Sequence, residues 1–226
     1  MMRFCVGLAA FALVYSQPTS ARPISYPGGW TVIEETDRQT TSLWTHYTLT
    51  PRWSLGARSE WDRQQDYVFN GVQATYLAKR WFGENYQANV YAIGGAGVAT
   101  NVGARPTNTN ASAFAGVLAD WETRRLFASY RIRYLEAGAV GDNFVQAVRL
   151  GVAPYEGDTG DLHTWLMVEI DHRSSNTSNN TTNNTTNNTS EVGVTPVVRF
   201  FKGAALLELG WSITDDEPLV NFTYRF

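Results

Sequence analysis

Beyond residue 28 the chain alternates apolar and polar residues with a period of two, and no stretch carries a convincing helical period. Trp53, Leu55, Ala57, Ser59 and Trp61 alternate with Ser54, Gly56, Arg58 and Glu60. Leu126, Ala128, Tyr130, Ile132 and Tyr134 alternate with Phe127, Ser129, Arg131 and Arg133, and Ala205, Leu207, Leu209 and Trp211 with Leu206, Glu208, Gly210 and Ser212. Weaker runs cover 29–36, 42–50, 67–80, 86–98, 112–121, 143–153, 162–172 and 191–201. With the last nine residues these predict an all-β chain of about twelve antiparallel strands, and an even number can close into a barrel with no open edge. Ten or eight strands is the alternative architecture, and a soluble β-sandwich is the alternative class.

The connections sort into two kinds. Turns near Pro51-Arg52, Gly83-Glu84, Glu122-Thr123 and Lys202-Gly203 are short, with 154–161 somewhat longer. The other ends carry the stretch Thr100–Asn110 and the tract Ser174–Ser190. That asymmetry suits a membrane barrel with short periplasmic turns and longer outer loops. Trp53, Trp81, Tyr86, Trp121 and Phe226 lie beside the short turns, and Trp61, Tyr134, Phe144 and Trp211 near the opposite rim. Aromatic rings favour both membrane–water interfaces.

Parity then assigns the interior. Arg58, Lys79, Arg131, Arg133, Arg149, Arg199 and Arg225 should face inward, together with Glu60, Asp120, Glu169, Asp171 and Glu208. Charges of both signs on facing walls should pair, because an unpaired charge in a confined interior is strongly penalised. Such a network either braces and partly plugs a narrow barrel or lines a small pore with a slight preference for anions.

Composition changes the picture in two places. The mean hydropathy of -0.27 looks soluble, but a barrel alternating lipid-facing and lumen-facing residues averages to a polar value. The net charge of -3, with Lys and Arg scattered, gives no sign of a nucleic-acid partner. At the amino terminus Arg3 precedes an apolar run from Phe4 to Tyr15, and Thr19-Ser20-Ala21 supplies small residues for signal-peptidase cleavage after Ala21. Residues 22–226 would then form the barrel domain. The single cysteine, Cys5, falls in the removed segment, which excludes disulfides and thiolate chemistry from the mature chain.

The final strand is the most specific feature. In Pro218–Phe226, Val220, Phe222, Tyr224 and Phe226 share one face, while Asn221, Thr223 and Arg225 share the other. An aromatic-faced strand ending on Phe resembles the terminal strand of Gram-negative outer-membrane β-barrels. That resemblance implies an outer-membrane location, with Phe222, Tyr224 and Phe226 forming the signal read by the barrel-assembly machinery.

Candidate chemistry is sparse. The order His172-Arg173-Ser174-Ser175-Asn176 resembles the His-x-Ser-Asn signature of outer-membrane phospholipase A and the lipid A deacylases. The resemblance implies Ser174 as nucleophile, His172 as base and Asp142 or Glu191 as the group orienting it. It departs from the pattern because Ser175 intervenes before Asn176. Gly95-Ala96-Gly97 opens no helix and so is no phosphate loop. His46 and His163 are too far apart for a metal site, and neither a metal nor a cofactor is expected. Asn176–Ser190, built from Asn-Asn-Thr-Thr repeats, should be an exposed outer loop. The expected function is a narrow passive channel or structural barrel. A lipid hydrolase working from the outer wall and a surface adhesin or receptor are the alternatives.

Overall fold

The computed structural model describes residues 23–102, 108–158, 160–178 and 186–226. The expected export signal, Met1–Ala21 with Cys5, lies outside them, as do 103–107 and 179–185 at the centres of the two expected outer loops. The elements are β1 (Trp30–Thr36), β2 (Thr40–Thr50), β3 (Trp53–Asp62), β4 (Tyr67–Phe82), β5 (Gln87–Asn101) and β6 (Thr109–Glu122). They continue with β7 (Leu126–Glu136), β8 (Asp142–Val152), β9 (His163–Ser178), β10 (Thr186–Lys202), β11 (Ala205–Trp211) and β12 (Pro218–Arg225). Each strand pairs antiparallel with its neighbours in sequence, and β1 pairs with β12 to close a twelve-stranded barrel. Phe226 seals this seam: Trp30 N–H donates to the Phe226 carbonyl at 2.8 Å, and Phe226 N–H donates back at 3.0 Å. The barrel end holding Phe226 is the seam end, and the opposite end the far rim.

Alternation does what period two requires. Leu43, Leu55, Val72, Val117, Leu150 and Ile170 are exposed on the outside, whereas Arg58, Glu60, Glu169, Asp171 and Glu208 are buried within. The sheet is inside out relative to a water-soluble protein. Among the described residues, three apolar clusters still occupy parts of the interior. Tyr67, Phe69, Phe114 and Leu135 form one towards the far rim, Phe127, Met167, Val197 and Leu219 another, and Ile24, Leu77 and Tyr91 the third.

Local structure departs from simple parity at β4. The register against β5 shifts between Leu77 and Lys79, a bulge that inserts one residue and reverses the facing of the residues beyond it. Lys79 is therefore exposed rather than luminal, its ammonium 5.8 Å from the Trp81 ring. Arg80 takes the inward place and donates to Asn89 at 2.7 Å.

The Asn/Thr tract also differs from the expected loop. Ser174–Ser178 and Thr186–Ser190 continue β9 and β10 as a paired ladder, from Ser190↔Ser174 to Thr186↔Ser178. Alternating Ser, Thr and Asn can satisfy backbone groups by strand pairing as readily as by water. The Thr100–Asn110 connection shrinks likewise, because β5 runs to Asn101 and β6 starts at Thr109.

Both mouths are covered by the chain itself. At the far rim the turn Asp37-Arg38-Gln39 folds inward and is buried. Beside it a short 3-10 turn, Gly138–Val140, packs Val140 against the Tyr67 cluster. Gly141, at φ 132°, lets that connection pass Gln65, whose amide would lie 2.3 Å from an added Cβ. At the seam end, the segment before β1 bends into the barrel. Ser54 Oγ donates to the Pro23 carbonyl at 3.1 Å, Ser25 N–H donates to Thr48 Oγ1 at 3.2 Å, and Ile24 is buried on Leu77 and Tyr91.

Candidate functional site

The interior is crossed, not merely lined, by arginine–carboxylate pairs. Arg131 of β7 donates to Glu35 of β1 at 2.7 Å. Arg133, two residues on, grips Glu60 of β3 through both nitrogens, at 2.6 and 2.5 Å. Glu60 also pairs with Arg58, whose guanidinium lies 4.2 Å from the Trp44 ring. Towards the seam end Arg149 bridges Glu169 at 2.5 Å and Glu208 at 2.7 Å, and Arg199 meets Glu208 at 2.6 Å. Arg133 with Glu60 and Arg149 with Glu169 meet in forked geometry, the arrangement that makes burial tolerable.

A second cluster closes the far rim. Arg38 in the buried turn donates to Asp171 at 3.0 Å, Asp215 at 2.8 Å and Glu191 at 3.3 Å. Arg173 pairs with Asp37 at 2.5 Å and Asp171 at 2.9 Å. Asp37 also accepts from the Gln39 and Thr40 N–H groups at 3.0 and 2.8 Å. Burial alone would raise the Asp37 carboxyl, but the Arg173 guanidinium and these donors hold it well below the usual carboxylate range. Asn143 of β8 reaches Asp62 of β3 at 2.8 Å, and Gln64 reaches Glu191 at 3.3 Å.

Two small cavities adjoin these networks. The larger, about 140 Å³, lies towards the seam end among Pro23, Leu118, Phe127, Arg149, Glu208 and Asn221. The smaller, about 40 Å³, lies under the far-rim turn, beside Asp37, Arg58, Arg133 and Arg173. Both are bounded by Glu35, Trp44, Ile93 and Arg131, so the Arg131–Glu35 bridge stands at the partition between them.

With charge paired inside and apolar side chains exposed outside, the surface demands a lipid surround. The chain is built as a closed twelve-stranded β-barrel whose apolar wall faces outward. No protein-family model matches it, and no curated protein sequence matches it either. Among solved structures, a "KdgM porin" is 12% identical, covering 88% of this chain and 98% of its own, with a TM-score of 0.42. A "KdgM porin in complex with disordered oligogalacturonate" is 10% identical over 87% and 96% of the two chains, with a TM-score of 0.40. A loop-deletion mutant of OmpT, an outer membrane protein of Vibrio cholerae, is 10% identical over 88% and 97%, with a TM-score of 0.35.

Of the residues parity assigns to the lumen, the barrel gathers Arg58, Glu60, Arg131, Arg133, Arg149, Glu169, Asp171, Arg199 and Glu208 into the networks above. Asp120 accepts from Asn89 at 2.6 Å, and Arg225 is buried beside the seam. Glu35 and Arg173 escaped the sequence reading although parity marks both, through Ile33 and Asp171 respectively. Asp37 and Arg38 had no such signal, because they sit in a turn where alternation stops.

The Ser174 constellation is not assembled. Asp142 accepts from the Tyr134 hydroxyl at 3.0 Å, and Glu191 points inward to Arg38, Gln39 and Gln64. Ser174 follows His172 by two residues along one strand, roughly 6.6 Å at the usual rise. The histidine turns instead across the ladder: His172 Nε2 lies 3.0 Å from Ser190 Oγ, and Nδ1 lies 3.2 Å from the Gln146 amide nitrogen. His46 is fully buried, with its ring 5.8 Å from Trp44. Among the described residues no cluster of His, Cys, Asp and Glu is arranged to hold a metal.

Proposed function

We propose that the protein is a narrow outer-membrane channel whose conductance is limited by the Arg131–Glu35 bridge. The observation that carries this reading is the position of that one ion pair between the two luminal cavities. The chain enters the membrane with the seam end in the periplasm, after cleavage following Ala21, and Phe222, Tyr224 and Phe226 present the strand that the assembly machinery reads. Rows of opposite charge on facing walls favour small polar or ionic solutes over apolar ones, and the remaining space admits only small ones. The Asp37–Gln39 turn narrows one mouth, and the Pro23–Ser25 segment narrows the other.

Conductance in a planar bilayer tests this. The wild-type protein should give small unitary steps, and the double variant Glu35→Gln/Arg131→Ser larger ones. Arg131→Ser alone leaves Glu35 unpaired and should make the pore cation-selective. A properly folded double variant with no more conductance than an empty bilayer would identify the barrel as a structural one.

A further inference from the structure

The Arg131–Glu35 bridge is held differently from the other ion pairs that cross the interior. One guanidinium nitrogen donates to Glu35 Oε1 at 2.7 Å, and that is its whole contact. Arg133 holds Glu60 through two nitrogens, and Arg149 engages Glu169 and Glu208 together. Among the described residues, no other side chain is hydrogen-bonded to the Arg131 guanidinium or to the Glu35 carboxylate. Their side chains are 25% and 12% exposed, whereas Arg133 and its partner Glu60 are 14% and 1% exposed. Both residues border both cavities. Donor groups of Arg131 and the second oxygen of Glu35 are therefore left for a solute entering from either side.

A solute at this point must answer both signs. A lone anion that takes Arg131 leaves Glu35 without its cation, and a lone cation that takes Glu35 leaves Arg131 without its anion. An uncompensated charge in so confined a space is strongly penalised. A neutral solute offers each group only a weaker, singly charged hydrogen bond. A short zwitterion does better, because its carboxylate meets Arg131 while its ammonium meets Glu35. The four charges then alternate around a ring, and the bridge opens without baring either end.

The cavities repeat this pairing of signs. Asp37 and Arg173 border the smaller one, and Glu208 and Arg149 the larger. Both ends of a dipolar solute thus meet opposite charge before and after the partition. Trp44 and Ile93 border both cavities, and their low-polarity surfaces strengthen the attractions beside them. The larger cavity, about 140 Å³, restricts the fit to short molecules.

We infer, on the basis that the barrel conducts, that the Arg131–Glu35 bridge selects small zwitterions of the α-amino-acid kind, which pass by exchanging ion pairs with it. Arg131 takes the solute carboxylate, Glu35 takes the ammonium, and the two re-form their own bridge as the solute leaves. Adjacent placement of the two solute charges matters, since groups that meet at 2.7 Å cannot both be reached by the ends of an extended chain.

Glycine and glycolamide test this, being isomers of which one is zwitterionic and the other neutral. Liposomes carrying the refolded protein should swell at least about fivefold faster in isosmotic glycine than in glycolamide, once protein-free rates are subtracted. Glu35→Gln/Arg131→Ser should swell at similar rates in the two. Glu35→Arg/Arg131→Glu, which restores a bridge with its ends exchanged, should recover the preference. In planar bilayers glycine should reduce the wild-type ionic current, and glycolamide should not. Heat-modifiable gel mobility confirms that each variant is folded. Equal wild-type rates in the two solutes, or a glycine preference that survives in Glu35→Gln/Arg131→Ser, would overturn the assignment, and continued ion conductance would leave the channel standing. A barrel that passes neither ions nor solutes would remove the channel and its selectivity together.

Discussion

Arg131 and Glu35 meet at 2.7 Å although their strands, β7 and β1, are six places apart in a ring of twelve. They are diametrically opposed, so the ion pair spans the barrel rather than decorating its wall. No water-filled cylinder of ordinary width permits such a contact. The interior has been drawn together by pairing, as Arg133–Glu60 and Asn143–Asp62 also attest, and a small cavity lies on either side of the bridge.

Glu60 accepts from both Arg58 and Arg133 and is almost wholly buried. Glu60→Gln should destabilise the folded barrel by about 3–5 kcal/mol, because two buried guanidinium groups lose their shared counter-charge. Urea unfolding in lipid vesicles, followed by tryptophan fluorescence, measures this. A loss below about 1 kcal/mol would mean that water enters and screens the site.

Lipid and lumen alternate along β7, where Ala128 faces out and Ser129 lines the larger cavity. Ala128→Arg should cost about 2–4 kcal/mol, since its charge enters the bilayer. Ser129→Arg should cost less, having Glu169 and Glu208 among the cavity walls. Equal losses in the two variants would contradict the facing given to this strand.

Ile24 is buried in the seam-end mouth against Leu77 and Tyr91. Ile24→Asp should release the Pro23–Ser25 segment and raise conductance, with little change in the unfolding midpoint because the strand ladder is untouched. Unchanged conductance would show that this segment does not limit flow.

At the far rim the depressed Asp37 carboxyl defines a pH window. A carboxylate whose folded value lies below its unfolded one contributes stability that is fully present above the unfolded value, near pH 4, and lost as pH falls through the folded value. The Asp37–Arg173 contact should therefore hold unchanged from about pH 8 to about pH 4 and fail only in stronger acid. Asp37→Asn should loosen the turn already at neutral pH, seen as faster proteolysis within 37–39 or larger conductance. A conductance change in the wild type centred near pH 6 would assign control of the rim to a different group.

The sequence by itself pointed to a closed antiparallel barrel of about twelve strands and to a period-two alternation of facing along them. Those properties depend on a period of two, which is local and repeats along the chain. Phe226 and its alternating strand marked where the barrel closes. What only the tertiary structure decided are the partnerships: Arg131 with Glu35, Arg173 with Asp37, and His172 with Ser190 instead of Ser174. Each joins residues on different strands, and which side chains meet depends on strand stagger and barrel flattening, which no local pattern encodes. The outward position of Lys79 was hidden for a related reason. One inserted residue in β4 reverses parity without leaving any mark in the alternation before it.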